Sequence, residues 1–163
     1  MSAITIKKVD SRSDLRRFID FHHDLYEGNP YDVPTLFIDD MNTLSKHKNP
    51  AFDFCEADYF LAYREDRLVG RVAAIINHRA NDRWQRKSVR FGWIDMVDDI
   101  EVARALLDAV AQFGRERGMT EVVGPLGFTD FDPEGMLIEG FEELGTMATI
   151  YNYPYYPRLM EQL

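Results

Sequence analysis

Apolar and polar residues follow one another along the chain in blocks whose spacing predicts alternating strands and helices. Two nearly continuous apolar runs, residues 58–64 and 68–78, stand on either side of a charged turn at residues 64–67. Apolar, β-prone runs joined by a short polar turn predict an antiparallel hairpin. Because neither run alternates with polar residues, we expect helices to cover both faces of this hairpin.

The clearest helical spacing begins near residue 99 and ends near residue 117. Its apolar face has the period of a one-sided helix and consists of Ala103, Leu106, Leu107, Val110 and Phe113. Asp98 as N-cap and Glu101 three residues later form a capping-box pattern, and Gly118 ends the helix. A strand at residues 89–97 precedes this helix, and another strand begins at Glu121.

Weaker patterns complete the predicted order of elements. Residues 4–9 suggest a first strand, and Ser11 and Ser13 are alternative N-caps of the helix that follows it. A short helix is expected over residues 36–45, a polar connector after the hairpin, and a final helix over residues 155–163. This order predicts an α/β domain with a mixed sheet.

Length and composition fit one packed domain spanning residues 1–163. The chain is 45% hydrophobic and 13% aromatic, which argues against disorder, and its net charge of −9 argues against nucleic acid or membrane surfaces as partners. The single cysteine, Cys55, suits a reducing compartment, and no apolar run fits a signal peptide or a membrane span, so a cytoplasmic location is expected. No histidine pair has a zinc-like spacing, and the acidic loop around Asp132 fails the calcium-loop pattern, so no metal is expected.

The order of predicted elements resembles the fold of the GNAT acyltransferases. The hairpin FLAYREDRLVGRVAAI is similar to the family's second and third strands, and the terminal PRLMEQL is similar to the family's last helix. The segments FCEADYFLAY, GPLGFTD and YNYPYY resemble the N-terminal part of larger GNAT-like proteins. The resemblance implies a mixed, mostly antiparallel sheet flanked by helices, from which the family's last two strands are missing.

Missing strands would leave an unpaired sheet edge, which proteins normally cover. The chain is therefore expected either to be a fragment of a longer protein or to form a homo-oligomer that completes the sheet. A second acyltransferase-like domain is a further partner that the resemblance suggests.

The resemblance also implies a site for acetyl-CoA at the junction between the strand at residues 89–97 and the long helix. GNAT enzymes hold the pyrophosphate on a glycine-containing loop there, whereas the matching stretch DMVDDIEVA has neither glycine nor a basic residue. We expect acidic side chains to cap this helix and to repel a diphosphate. The candidate contacts of the coenzyme are the backbone of Met96 and Val97, together with Asp98 at the junction itself.

Two residues are candidates for proton transfer. Asp95, near the end of that strand, is a candidate general base with a raised pKa. The family's proton-donating tyrosine aligns with Met160, and Tyr156, about one turn earlier, takes that role only in a different register. The alternatives are a polar contact with a neighbouring loop for Asp95 and aromatic packing for Tyr156.

A local excess of positive charge interrupts this acidic chain. The segment HRANDRWQRKSVR contains five Arg and Lys residues and Trp84, with only Asp82 opposing them. Such a segment fits a phosphate group, an acidic partner or RNA, or else a solvated connector between two strands.

Two functions remain open from the sequence. The first is an acyl-CoA-dependent N-acetyltransferase that acts on a small-molecule or peptide amine, and the hairpin and the element order favour it. The second is a non-catalytic GNAT-like module that binds a partner or packs on a second acyltransferase-like domain. The absence of the glycine loop and the presence of Met160 favour this second function.

Overall fold

A five-stranded mixed sheet forms the centre of the computed structural model, which describes residues 2–146 and 149–163. The strands are β1 (Ile4–Lys8), β2 (Cys55–Arg64), β3 (Arg67–Asn77), β4 (Ser88–Met96) and β5 (Glu121–Val123). They lie side by side in chain order, antiparallel from β1 to β4 and parallel between β4 and β5. The predicted α/β fold with a mixed, mostly antiparallel sheet is confirmed.

Five α-helices flank the sheet in the described part of the chain. They are α1 (Arg12–Leu25), α2 (Phe37–Thr43), α3 (His78–Trp84), α4 (Ile100–Arg115) and α5 (Tyr155–Met160), and a short 3-10 helix at Pro50–Asp53 precedes β2. Ser11 is the N-cap of α1, since its hydroxyl accepts a hydrogen bond from the Asp14 amide at 3.0 Å. None of the helices that the structure describes is long and apolar enough to cross a membrane.

Burial on both faces of the hairpin explains its apolar sequence. The turn between β2 and β3 is tight, and Glu65 occupies it with a φ of 55°. On one face of the sheet Ile75 packs in a cluster with Phe18 of α1, and on the other Val72 packs in a cluster with Leu106 of α4. Because both clusters exclude water, β3 is apolar on both faces from Val72 to Ile76 and shows no alternation with polar residues there.

The polar connector predicted after the hairpin joins β3 to β4, but it contains a helix, α3, which the sequence does not predict. Asn77 caps this helix by accepting a hydrogen bond from the Ala80 amide at 2.9 Å, and Gln85 ends it in the left-handed conformation with a φ of 51°. None of the residues of α3 is buried. The helix therefore has no apolar stripe by which its sequence would be recognised.

β4 and β5 separate after a short stretch of parallel pairing. Their last paired residues are Arg90 and Val123. The chain after β5 then crosses β4 so closely that a Cβ atom on Gly92 would lie 2.4 Å from the Leu126 carbonyl oxygen. The chain stays bonded to β4 beyond the last pair, since the Leu126 amide donates to the Phe91 carbonyl oxygen at 2.8 Å, and Phe128, two residues after Leu126, is fully buried.

Gly92→Ala should destabilise the protein by about 1–3 kcal/mol, because the added methyl group overpacks the crossing and forces the loop or the strand to move. Urea unfolding of the two proteins measures the difference. An unchanged unfolding midpoint would show that the chain does not pass over β4 at this position.

Candidate active site

Asp95 lies at the centre of a buried polar cluster at the end of β4. Trp93 forms a β-bulge with a φ of 45°, and the pairing between β3 and β4 shifts there. This shift sets Asp95 directly opposite Arg71 of β3, whose Nε and Nη2 atoms lie 2.8 and 2.7 Å from Asp95 Oδ2. Both side chains are buried, so each provides the counter-charge that the other needs.

Two further side chains complete the hydrogen bonding of this carboxylate. His22 of α1 places Nδ1 2.9 Å from Asp95 Oδ2, and the Tyr156 hydroxyl of α5 donates to Oδ1 at 2.8 Å. Arg71 also donates from Nη1 to the Phe18 carbonyl oxygen of α1 at 2.8 Å. One carboxylate thus connects α1, β3, β4 and α5, and we call Asp95, Arg71, His22 and Tyr156 the Asp95 cluster.

The charges around Asp95 keep it ionised. Burial alone would raise its pKa, but the charges of His22 and Arg71 and the hydrogen bonds from His22 and Tyr156 outweigh burial and hold the pKa well below its usual range. The prediction of a raised pKa is therefore wrong, because the strand end holds two cationic partners rather than an apolar pocket. Asp95 acts here as a hydrogen-bond acceptor, and its role as a general base stays a prediction.

His22 is partly exposed, with 18% of its side chain accessible. Its Nε2 atom lies 3.5 Å from Asp32 Oδ1 in the loop after α1. Burial alone would lower the pKa of His22, but the Asp95 charge and hydrogen bonding with Asp32 and Asp95 raise it to about 9. His22 is therefore protonated at neutral pH, and both ring nitrogens face carboxylates.

Tyr156 is fully buried, and its hydroxyl group is hydrogen-bonded to Asp95, the other residue that the sequence predicts as catalytic. Burial and the Asp95 charge raise the pKa of the Tyr156 phenol well above its ordinary value. The phenol is therefore neutral, and its proton is committed to Asp95. The structure brings Asp95 and Tyr156 into contact, and their catalytic roles stay predictions.

The predicted coenzyme contacts at the end of β4 already have protein partners. The Met96 carbonyl oxygen accepts a hydrogen bond from the Tyr155 hydroxyl at 2.7 Å, and the Met96 amide donates to the Tyr156 hydroxyl oxygen at 3.4 Å. The Val97 amide donates to the Val69 carbonyl oxygen at 3.0 Å. A coenzyme arm would pair with Met96 only after both tyrosines had moved.

Side chains also close the N-terminus of α4. Its N-cap is Asp99 rather than the predicted Asp98, since Asp99 Oδ1 accepts a hydrogen bond from the Glu101 amide at 2.9 Å. Arg64 of β2 donates to Asp99 Oδ2 at 2.6 Å and to Glu101 Oε2 at 2.8 Å. Asp98 instead forms an ion pair with Arg158 of α5. A terminus with three carboxylates and no glycine does not fit the diphosphate of a coenzyme.

Sequence reasoning misses His22 and Arg71 as members of the site. His22 lies 73 residues from Asp95 in the chain, and no local motif connects them. Arg71 offers a signal, because a charged residue within a strand whose neighbours are all apolar must find a buried partner. Among residues 2–146 and 149–163, no group of three or more His, Cys, Asp or Glu side chains could hold a metal ion.

Solved structures with the same arrangement of helices and strands are acetyltransferases. An acetyltransferase of the GNAT family from Staphylococcus aureus MU50 has a TM-score of 0.52 and 18% identity, with 76% of this chain and 74% of that chain covered. The chain has a GNAT-like fold. The aminoglycoside acetyltransferase meta-AAC0020 from an uncultured soil metagenomic sample, in complex with sisomicin, has a TM-score of 0.50 and 16% identity, with 74% and 75% covered. At such identities the likeness concerns the fold alone.

Two relatives match nearly all of this GNAT-like chain in sequence, while no protein-family model matches it. Protein YghO of Escherichia coli (strain K12) is 32% identical over 153 residues, which are 94% of this chain and 39% of that protein. The bacterial ceramide synthase of Caulobacter vibrioides (strain NA1000 / CB15N) is 32% identical over 162 residues, which are 98% of this chain and 42% of that protein. The chain thus spans about two fifths of the length of these relatives.

Asp95→Asn should destabilise the protein by about 3–5 kcal/mol, because Arg71 and His22 would stay buried without their counter-charge. Urea unfolding measures the loss. The matched control is Asp98→Asn, which removes a carboxylate from an exposed pair and should cost less than about 1 kcal/mol. Equal losses for the two variants would contradict a central role for Asp95.

The free energy of unfolding should decrease as the pH rises from about 6.5 to about 9. The folded-state pKa of His22 is about 9 against an ordinary 6.5, so its stabilisation is complete below the lower value and is lost as the pH rises through the upper one. The expected loss is on the order of 3 kcal/mol.

Urea unfolding at several pH values measures this loss in the original protein and in two variants. His22→Gln should remove the decrease, whereas His47→Gln, at an exposed loop position, should keep it. The same pH dependence in His22→Gln and the original protein would refute the assignment to His22.

Proposed function

We propose that this chain is part of an N-acyltransferase that transfers an acyl group from an acyl-CoA to an amine. The observation that carries the proposal is the match of 98% of the chain to the bacterial ceramide synthase of Caulobacter vibrioides, and the GNAT-like fold supports it. A ceramide is an amide of a fatty acid and a long-chain amine, so its formation is an N-acyl transfer. The proposed acceptor is therefore a long-chain amine, and the donor is acetyl-CoA or a longer acyl-CoA.

The proposal concerns the whole protein, because the chain spans only 42% of that relative. Within the described residues, the two places where a GNAT enzyme would hold its coenzyme are occupied by protein groups. Tyr155 bonds the Met96 carbonyl oxygen, and Arg64 bonds the carboxylates of Asp99 and Glu101 at the N-terminus of α4. We therefore propose that the acyl-CoA is held by residues of the longer protein that lie outside this chain.

The second candidate function is a non-catalytic GNAT-like module that packs against a second acyltransferase-like domain. The N-terminus of α4 favours it, because Asp99 caps the Glu101 amide and Arg64 holds the Asp99 and Glu101 carboxylates beside it, and these carboxylates repel a phosphate. The two candidates are compatible if this chain is the supporting part of a larger enzyme. Only the non-catalytic module remains if the full-length protein forms no amide.

The full-length protein should transfer the acyl group of an acyl-CoA to a long-chain primary amine. Mass spectrometry detects the amide, and a colorimetric assay detects the thiol of the released CoA.

Acyl-CoA at about 100 times its dissociation constant should stabilise the full-length protein by about 2.7 kcal/mol, and residues 1–163 alone should show no shift in melting temperature. Arg64→Ala, which opens the terminus of α4, should leave the KM for acyl-CoA unchanged.

Each alternative outcome has a distinct meaning. No amide from the full-length protein, with a normal melting curve, would reject the acyltransferase and leave the non-catalytic module. A melting shift in residues 1–163 alone would show that this chain itself binds the coenzyme.

A further inference from the structure

The segment from α3 to the start of β4 carries positive charges that the rest of the structure neutralises only in part. Arg79, Arg83, Arg86 and Lys87 are all exposed, in a chain whose net charge is −9. Glu121 of β5 pairs with Arg86 through two hydrogen bonds of 2.7 and 2.6 Å. Within the described residues, Arg79, Arg83 and Lys87 have no carboxylate partner. Three cations without a carboxylate partner therefore lie within nine consecutive residues, although Arg79 stacks on the Phe54 ring at 4.3 Å and Asp82 adds one negative charge to the segment.

An exposed aromatic ring accompanies these cations. Trp84, the last residue of α3, is 68% exposed, and its one ring contact among the described residues is the Arg83 guanidinium, 5.6 Å from the ring centre. An exposed tryptophan within a basic segment marks an interaction surface.

We propose that this surface, formed by Arg79, Arg83, Trp84 and Lys87 and named the Trp84 patch, docks on an anionic membrane surface. Basic residues near an anionic leaflet are attracted by its surface potential, and the amphipathic tryptophan ring favours the headgroup region. The patch offers both features side by side. This inference rests on the exposure and charge of α3 and does not depend on the proposed acyl transfer.

The net charge of −9 predicts no membrane partner. The Trp84 patch differs from this expectation because its positive charges are close together, whereas most of the negative charges lie elsewhere on the protein. Charges separated by more than about 8 Å are largely screened at physiological salt. A flat anionic surface therefore interacts chiefly with the side chains that touch it. Binding of a long nucleic acid would need a groove of positive charges that extends beyond the patch. Binding to a membrane surface needs only a local cluster of basic residues next to an apolar side chain such as Trp84.

Vesicle sedimentation of the full-length protein tests the proposal. The protein should bind vesicles that contain phosphatidylglycerol, bind phosphatidylcholine vesicles much more weakly, and lose binding at high salt. The double variant Arg83→Gln and Lys87→Gln should weaken binding by about fivefold for each charge removed. Trp84→Ala should weaken it several-fold, because the ring no longer enters the headgroup region.

The matched control removes the same charge from another exposed surface. Arg104→Gln together with Arg115→Gln alters two exposed arginines of α4 and should leave vesicle binding unchanged. Melting curves of all variants should coincide, since none of the replaced side chains is buried.

Four results would overturn the proposal. The first three are absence of binding to both kinds of vesicle, equal binding to both, and equal losses for the patch and control variants. A fourth is binding of single-stranded RNA that depends on Arg83 and Lys87 while vesicles stay unbound, which would make the patch a nucleic-acid site instead.

Discussion

The buried carboxylate of Asp95 is the interaction on which the other features of the site depend. Moving an ionised group out of water costs several kcal/mol unless counter-charges and hydrogen bonds replace the lost solvation. Arg71 supplies a buried counter-charge, His22 a second one, and Tyr156 a neutral donor. Because these partners come from three different elements, the packing of α1 and α5 against the sheet and the charge state of Asp95 cannot change independently.

The same arrangement explains why this GNAT-like fold has no conventional place for a coenzyme. Tyr156 bonds Asp95, and its neighbour Tyr155 bonds the Met96 carbonyl oxygen. At the adjacent helix terminus, Asp99 satisfies an orphan amide and Arg64 neutralises the carboxylates that gather there. Two of the groups that a coenzyme would use, the Met96 carbonyl oxygen and the Glu101 amide, therefore already have partners within the chain.

The parts of the fold that the sequence predicts are those fixed by local patterns. Residues close in sequence define the hairpin and α4, so apolar spacing suffices to find them. Asp95 and Tyr156 can be selected from the resemblance, but their mutual contact spans 61 residues and follows only from the complete topology. The N-cap of α4 is displaced by one residue, from Asp98 to Asp99, because both are acidic and only backbone geometry distinguishes them.

The contacts of the helix α5 determine how easily the end of β4 could open to a coenzyme. Tyr155, Tyr156 and Arg158 each bond a different residue of the segment 95–98, with two hydrogen bonds of 2.7 and 2.8 Å and one ion pair. Opening the strand end to a coenzyme would break all three contacts and leave the buried Asp95 short of a donor, a cost that binding would have to exceed. A longer acyltransferase avoids this cost if its coenzyme lies elsewhere, which agrees with a supporting role for these residues. The contacts of α5 therefore stabilise the closed strand end.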